Sequence, residues 1–393
     1  MTTASERGRR LALLGGTPTF SDPVPLGQLG FPSWERFEAA IRGICERGWY
    51  TNHGPLAVEA ERRLADELGV AEVVCVSNAT VGLMMACRAL GLAGSAVVST
   101  FTPPAAAEAL LWSGVTPRLC DVEAGGVHAD PETVRAAIDD DVCAIVAVNL
   151  WGGFADLDGL TALAAERRVP LVLDSAHAFG SAYRGAARGA LEVFSFHESH
   201  IVNTGEGGCV ATDDPELAAR LRNIRSSYGA GRPVPVPITS NGRFSEAQAA
   251  LALLALDDLE SARRRNREQF DRYAAALAGV DGLRLVEPAR ARESNHQSAV
   301  VEVDDATFGL SAPQLVRVLR AEGVEAAAPI RRPLHRTTLF RDAAAGPLPR
   351  AERAAASLVQ LPLGAALSAA TAEEIAELIV AAGRSAATLA AAL

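Results

Sequence analysis

Phe194-Ser195-Phe196-His197-Glu198-Ser199-His200-Ile201-Val202-Asn203-Thr204-Gly205-Glu206-Gly207-Gly208 is the stretch on which the reading of this chain turns. Leu191, Val193 and Phe194 lead into it and predict a buried strand, and the closing glycines predict a tight turn. Such a segment sets polar side chains at the mouth of a sheet. Ser195, His197, Glu198, Ser199 and His200 then form a group of donors and acid/base side chains on an exposed loop.

Outward from that loop, strands and helices alternate. Strands are predicted over 71–76, 95–99, 116–121, 143–148, 169–173 and 209–212, with helices over 34–47, 79–90, 105–113, 131–138, 160–168 and 215–225. This alternation predicts an α/β architecture with a mainly parallel sheet covered on both faces. Residues up to 25 read as an irregular arm, and 233–237 as an extended surface excursion. A long helix over 246–278 carries the basic run Arg263-Arg264-Arg265, which reads as a solvated face. The domain boundary is placed inside or beside it, giving a large domain over 1–256 and a smaller α+β domain over 257–393. Strands near 283–286 and 299–303, a helix over 311–322 and closing helices make up the second.

Three positions in this frame suit chemistry. Asp174 stands where an apolar strand stops, at the carboxyl edge where α/β sheets bind ligands. It can hold a protonated ring nitrogen there or simply cap the next helix; the residues leave both open. Ser77-Asn78-Ala79-Thr80 opens a helix, where unpaired N–H groups and the helix dipole favour an anion; an ordinary N-cap explains the same residues. Trp49-Tyr50-Thr51-Asn52-His53-Gly54-Pro55 is a donor-rich turn or a plain loop between helices.

Bulk properties narrow the class. The chain has 393 residues, 49% hydrophobic and 21% charged, enough for two domains with a sizeable core. A net charge of -10 argues against nucleic acid or an anionic membrane as main partner. Cys45, Cys75, Cys87, Cys120, Cys143 and Cys209 are scattered without Cys-x-x-Cys spacing, which fits a reducing cytoplasm and neither a disulfide framework nor a zinc site. Arg7, Arg9 and Arg10 precede only a short apolar stretch, so no signal peptide is read, and no apolar run reaches membrane-spanning length.

The organising loop resembles the active-site loop of the DegT/StrS family of pyridoxal-phosphate (PLP) nucleotide-sugar aminotransferases. In the branch that makes 4-amino-4,6-dideoxy sugars the loop reads Ser-Phe-His-Ala-Thr-Lys, two apolar residues, Asn-Thr, one residue and Glu-Gly-Gly. Ser195, Phe196, His197, Asn203, Thr204, Glu206, Gly207 and Gly208 match; Ser199 replaces a threonine, and His200 stands at the cofactor-bearing lysine. The likeness runs from Gly15-Gly16-Thr17-Pro18 to the last helices. It implies an aspartate aminotransferase-like fold of type I.

The same likeness assigns roles. Ala79 and Thr80 would hold the cofactor phosphate, Asp174 its ring nitrogen and His177 its ring hydroxyl, with Ser195 beside them. Pro103 stands where relatives carry an aromatic that covers the ring, a second departure. Asn241, in Ser240-Asn241-Gly242-Arg243-Phe244-Ser245-Glu246, would complete the phosphate site of a partner subunit and implies a homodimer. Asn52, and His335 in Arg331-Arg332-Pro333-Leu334-His335, would lie near the substrate. Leu361-Pro362-Leu363-Gly364 also matches and reads as structural.

His200 decides the chemistry that follows. Imidazole has no primary amine and cannot carry the cofactor covalently, yet its ordinary pKa of about 6.5 suits proton transfer. Bound PLP or pyridoxamine phosphate (PMP) would then be non-covalent. Within the family, the sugar 3-dehydratases carry histidine here, which implies C3 deoxygenation of a nucleotide-linked 4-keto-6-deoxy sugar, with L-glutamate as possible amino donor. An iron–sulfur branch needs grouped cysteines, and Cys209 is the only one after 143. The residues around His200 resemble the aminotransferase branch instead, so a lyase or transferase rebuilt around His200 and a non-catalytic partner or sensor stand as alternatives. No metal site is read.

Overall fold

The computed structural model describes residues 10–28, 30–226 and 231–393. Arg7 and Arg9 of the N-terminal arm lie outside the described residues. Seven strands form the main sheet: β1 (Glu72–Val76), β2 (Gly94–Ser99), β3 (Val115–Cys120), β4 (Val142–Val148), β5 (Leu171–Asp174), β6 (Leu191–Ser195) and β7 (Gly208–Thr212). Their spatial order is β1-β7-β6-β5-β4-β2-β3. Only β7 runs antiparallel to its neighbours; the other pairings are parallel.

Alternation of side chains along each strand splits the core in two. Val74 and Val76 of β1, Ala96 and Val98 of β2, Ala144, Val146 and Val148 of β4 and Val210 of β7 share one cluster. The intervening residues turn the other way: Val73, Cys75, Phe194, Cys209 and Ala211 pack in a second cluster, and Val97, Ile145, Ala147, Leu171 and Leu173 in a third. Both faces are thus apolar and covered, as a sheet with helices on each side requires. This is an α/β fold with a mainly parallel sheet covered on both faces.

The helix Glu246–Leu277 starts with a capping box between Ser245 and Gln248. Its first half buries Ala249, Ala252 and Leu259 against the main-sheet cluster. Its second half buries Phe270, Tyr273 and Leu277 against a three-stranded antiparallel sheet, ordered Leu358–Leu361, Ala299–Val303, Leu283–Leu285. Tyr273 is fully buried and donates its hydroxyl to the carbonyl of Pro362 at 2.9 Å, which satisfies the one polar atom it takes inside.

Several elements depart from the sequence expectation. The arm before residue 25 is not wholly irregular: Ala12–Leu14 forms a 3-10 turn, and Val24 makes a bridge to Val324. The helix Pro55–Leu68 follows the Trp49–Pro55 turn, and short strands Ala182–Tyr183 and Ala291–Glu293 pair with each other. Two-residue pairings carry too little periodicity to be read from sequence. The helix Leu157–Arg167 begins earlier than 160 because Asp156 caps it by accepting the N–H of Gly159. Among the described residues no single helix is long and apolar enough to cross a membrane.

Candidate active site

The carboxyl ends of β1, β2, β5 and β6 lie along one edge of the sheet, and four expected site segments sit there. Gly208 ties two of them together, since it pairs with Val76 at the end of β1 and with Ser195 at the end of β6. A side chain on Gly208 would meet the amide nitrogen of Ala79 at 3.0 Å and the carbonyl oxygen of Phe194 at 2.6 Å. Glycine is required by this close approach, not by an unusual backbone angle.

The helix Ala79–Ala89 begins at this edge. Asn78 caps it by accepting the N–H of Val81 at 2.9 Å, and the N–H of Gly82 returns to the Asn78 carbonyl. The N–H groups of Ala79 and Thr80 belong to the first turn, which has no intrahelical acceptors. They point where the helix dipole favours an anion.

Asp174 ends β5 and is buried. Its Oδ1 accepts the N–H of Ala176 at 3.2 Å, and among the described residues no cation partners the carboxylate. Burial raises its pKa to about 6, opposed only by that one hydrogen bond. An unpaired carboxylate at the sheet edge suits a cationic ring nitrogen.

Three histidines gather on the two loops that follow β5 and β6. The His177 and His200 rings lie 5.4 Å apart, and His197 lies 6.1 Å from His200. His197 Nδ1 is within 2.9 Å of the Ser199 hydroxyl. Burial drops His177 to about 4. Burial first, then His177 and His197, pushes His200 well below its ordinary value. Both rings are therefore neutral at pH 7. The Nδ1 atoms of His177 and His200 are sealed from solvent without partners, as is Oγ1 of Thr102.

Packing and polar tethers hold these loops. Phe179 meets Phe194 and Phe196 edge-on at 5.5 and 5.7 Å, pinning the turn after Asp174 to the loop that carries His200. Such aromatic pairs add about 0.5–1.5 kcal/mol beyond their burial. Asn295, fully buried, donates to the carbonyls of His177 and Phe179 at 3.1 and 2.9 Å. Gln297 donates to the carbonyl of Ser199 at 2.6 Å. These tethers escaped the sequence reading. The available signal was the polar run Ser294-Asn295-His296-Gln297-Ser298 directly before an apolar strand, all five of which are buried.

Other site residues sit differently. Pro103 is half-buried just beyond β2; the neighbouring Phe101 is fully buried against Trp151 at 6.2 Å and so cannot replace the missing ring cover. Asn52 and Asn241 are exposed. Asn52 has a left-handed backbone, φ 63°, and lines a small recess with Arg225, Ser226, Arg243 and Phe244. Asn241 bridges Ser226. In His335, Nδ1 is engaged by Thr100 Oγ1 at 2.8 Å and Nε2 by Glu352 at 2.9 Å. Both nitrogens are taken by this chain's own residues.

Residues 33–380 match the model of the DegT/DnrJ/EryC1/StrS aminotransferase family. A dTDP-4-amino-4,6-dideoxy-D-glucose transaminase of Shigella dysenteriae is 26% identical over 307 residues, 77% of this chain and 83% of that protein. The structure of DesI, determined in the presence of its TDP-sugar product, superposes with a TM-score of 0.92 at 35% identity, covering 97% of this chain and 98% of that one. DesV of S. venezuelae, determined with a ketimine intermediate, gives 0.83 at 28% identity over 92% and 99%. The buried uncompensated carboxylate, the orphaned imidazole nitrogens and the open helix start fit the family's cofactor, PLP or its PMP form. The chain belongs to the DegT/DnrJ/EryC1/StrS aminotransferase family.

Proposed function

We propose that this protein is a PLP/PMP-dependent enzyme acting on a nucleotide-linked 4-keto-6-deoxy sugar without a covalent cofactor lysine, removing the C3 hydroxyl as a sugar 3-dehydratase. The observation that carries the reading is a neutral, buried imidazole, His200, on the loop that follows β6, its ring 5.4 Å from that of His177. Asp174 would hold the ring nitrogen, Ala79 and Thr80 the phosphate, His177 the ring hydroxyl, and Pro103 one ring face. Ser195 is buried beside them and accepts the N–H of His197. Residues 1–256 form the cofactor-binding part in this reading and 257–393 the smaller one.

Bound there without a covalent link, PMP supplies an amine for the C4 ketone and a ring that takes up electrons. His200 takes up a proton at a ring nitrogen and returns it; burial keeps it unprotonated and ready as a base at pH 7. Asp174, once ionised, keeps the electron-accepting ring protonated. Asn52 would touch the sugar, whereas His335, with both nitrogens engaged, would shape the pocket through Thr100. The exposed Asn241 suits a homodimer with shared sites, and the scattered free cysteines suit the cytoplasm.

The transaminase names of the relatives favour a second reading, a transferase or lyase rebuilt around His200 with L-glutamate as amino donor. One assay separates the two. Purified protein with PLP should show free-aldehyde absorption and no borohydride-trapped adduct. With L-glutamate and a nucleotide 4-keto-6-deoxy sugar, release of ammonia supports dehydration. An aminated sugar without ammonia supports transfer, and absence of cofactor binding supports a non-catalytic sensor and sinks the proposal.

A further inference from the structure

We propose that Gln297 is a positioning residue for this site: its side-chain oxygen receives the Nδ1–H of His200 and selects the tautomer that leaves Nε2 open for proton transfer. The inference rests on the reading of His200 as the acid/base group and deepens it.

The side-chain amide of Gln297 is fixed at one end. Gln297 donates its side-chain N–H to the carbonyl of Ser199 at 2.6 Å, so the amide oxygen is the other end of the group. The backbone beneath is equally anchored: Gln28 donates to the Gln297 carbonyl at 3.0 Å, and Asn266 donates to Gln28 at 3.1 Å. The amide N–H of Gln297 reaches Asn295 Oδ1 at 2.9 Å. Gln28, Asn266, Asn295 and Gln297 are all buried. A side chain on this platform, holding the residue adjacent to His200, has little freedom to turn away.

Two polar atoms are left over. Gln297 Oε1 and His200 Nδ1 are both sealed from solvent, and among the described residues neither has a partner at full hydrogen-bonding geometry. Gln297 is close enough to His200 to bear on its protonation. One atom is an obligate acceptor, and the other becomes a donor in one tautomer. A buried polar atom left unmet costs about 1–3 kcal/mol, so a small rotation that joins the two relieves both. His200 Nε2, by contrast, is not one of the sealed, unmet atoms, and among the described residues it makes no hydrogen bond, so it is the nitrogen left to meet a ligand. The titratable groups facing His200 are His177 and His197, and neither offers a carboxylate that could set the tautomer instead.

The test uses the full-length chain, free of cofactor and labelled with 15N-histidine. There are seven histidines, few enough to assign the His200 ring by its loss in His200→Asn. The native ring should show protonated Nδ1 and bare Nε2. Gln297→Leu should lose that preference, and Gln297→Glu, which keeps an acceptor but no amide donor, should retain it. A native ring protonated on Nε2 overturns the proposal, as does an unchanged tautomer in Gln297→Leu. Loss of the preference in Gln297→Glu as well would show that the hold on Ser199 matters and the acceptor does not. In turnover, Gln297→Leu should lower kcat about 10- to 100-fold with KM little changed, and Gln297→Glu should shift the acid limb of the pH profile upward. If His200→Asn leaves turnover intact, the acid/base reading fails while the tautomer measurement stands on its own.

Discussion

The rings of His177 and His200 face each other with centroids 5.4 Å apart and planes tilted by 47°, and each hides an unpartnered Nδ1. Two imidazoles so placed cannot both carry charge in a dry site. With burial, the neighbouring His177 ring holds His200 unprotonated at neutral pH, free to accept a proton although a weaker base than an exposed imidazole.

His200→Asn should lower turnover by at least about 100-fold, the usual contribution of a positioned acid/base group, while PMP still binds. Steady-state rates with a nucleotide 4-keto-6-deoxy sugar, set beside cofactor titration, measure both. Unchanged turnover would remove the assignment.

His200→Lys should restore a borohydride-trappable adduct with PLP and raise amino transfer from L-glutamate over ammonia release. Under the proposed reading, Asp174, Ser195 and the helix start at Ala79 supply the rest of the pocket. Mass spectrometry of the reduced protein reads the adduct directly. Failure to form it would mean the pocket no longer presents the aldehyde to this position.

Asp174→Asn separates folding from binding. The folded carboxyl titrates at about 6 against an ordinary 3.8, so its ionised form is disfavoured by folding. Its contribution is present below the unfolded value and lost as pH rises through about 6. At neutral pH the variant should make the cofactor-free protein more stable by up to about 3 kcal/mol, and bind PLP more weakly. Denaturant unfolding and PLP titration at pH 7 should move in these opposite directions.

Acid should destabilise the chain through its buried histidines. His177 and His296 are lowered to about 4 and His128 to about 3, each chiefly by burial. Groups with depressed folded values stabilise above about 6.5, and that stability is lost as pH falls through the folded values. Each histidine fully protonated in the unfolded chain adds a slope of about 1.4 kcal/mol per pH unit. Asp174 opposes one of them. Unfolding free energies at pH 7 and pH 5 should therefore differ by several kcal/mol, lower at pH 5; a flat profile would contradict the burial of these rings.

Glu61 is the structural counterpart of this site. Nearly sealed, it pairs with Arg225 at 2.5 Å, accepts the N–H of Cys75 at 3.0 Å and meets His53 at 3.0 Å. Glu61→Ala leaves Arg225, itself buried, without its countercharge. It should cost about 3–5 kcal/mol of stability, read as a lower denaturation midpoint.

Much of this architecture was legible in the chain itself. Strands such as Val142–Val148 are continuous apolar runs, which only a sheet covered on both faces accommodates, and the order of motifs from Ala79 to Gly208 carried the family. Local sequence also marked Asp174 and His200 as the groups at the sheet edge. What it could not show was who touches whom across long separations. The engagement of His335 by Thr100 and Glu352, the seat of Phe101 on Trp151 and the hold of Gln297 on Ser199 join residues distant in sequence. Such contacts leave no periodic trace, because they depend on how separate elements dock.

The same holds for His200, the proposed acid/base group. Its place in the loop is plain from the order of residues, but its charge state is set by burial and by neighbours that only the folded chain assembles.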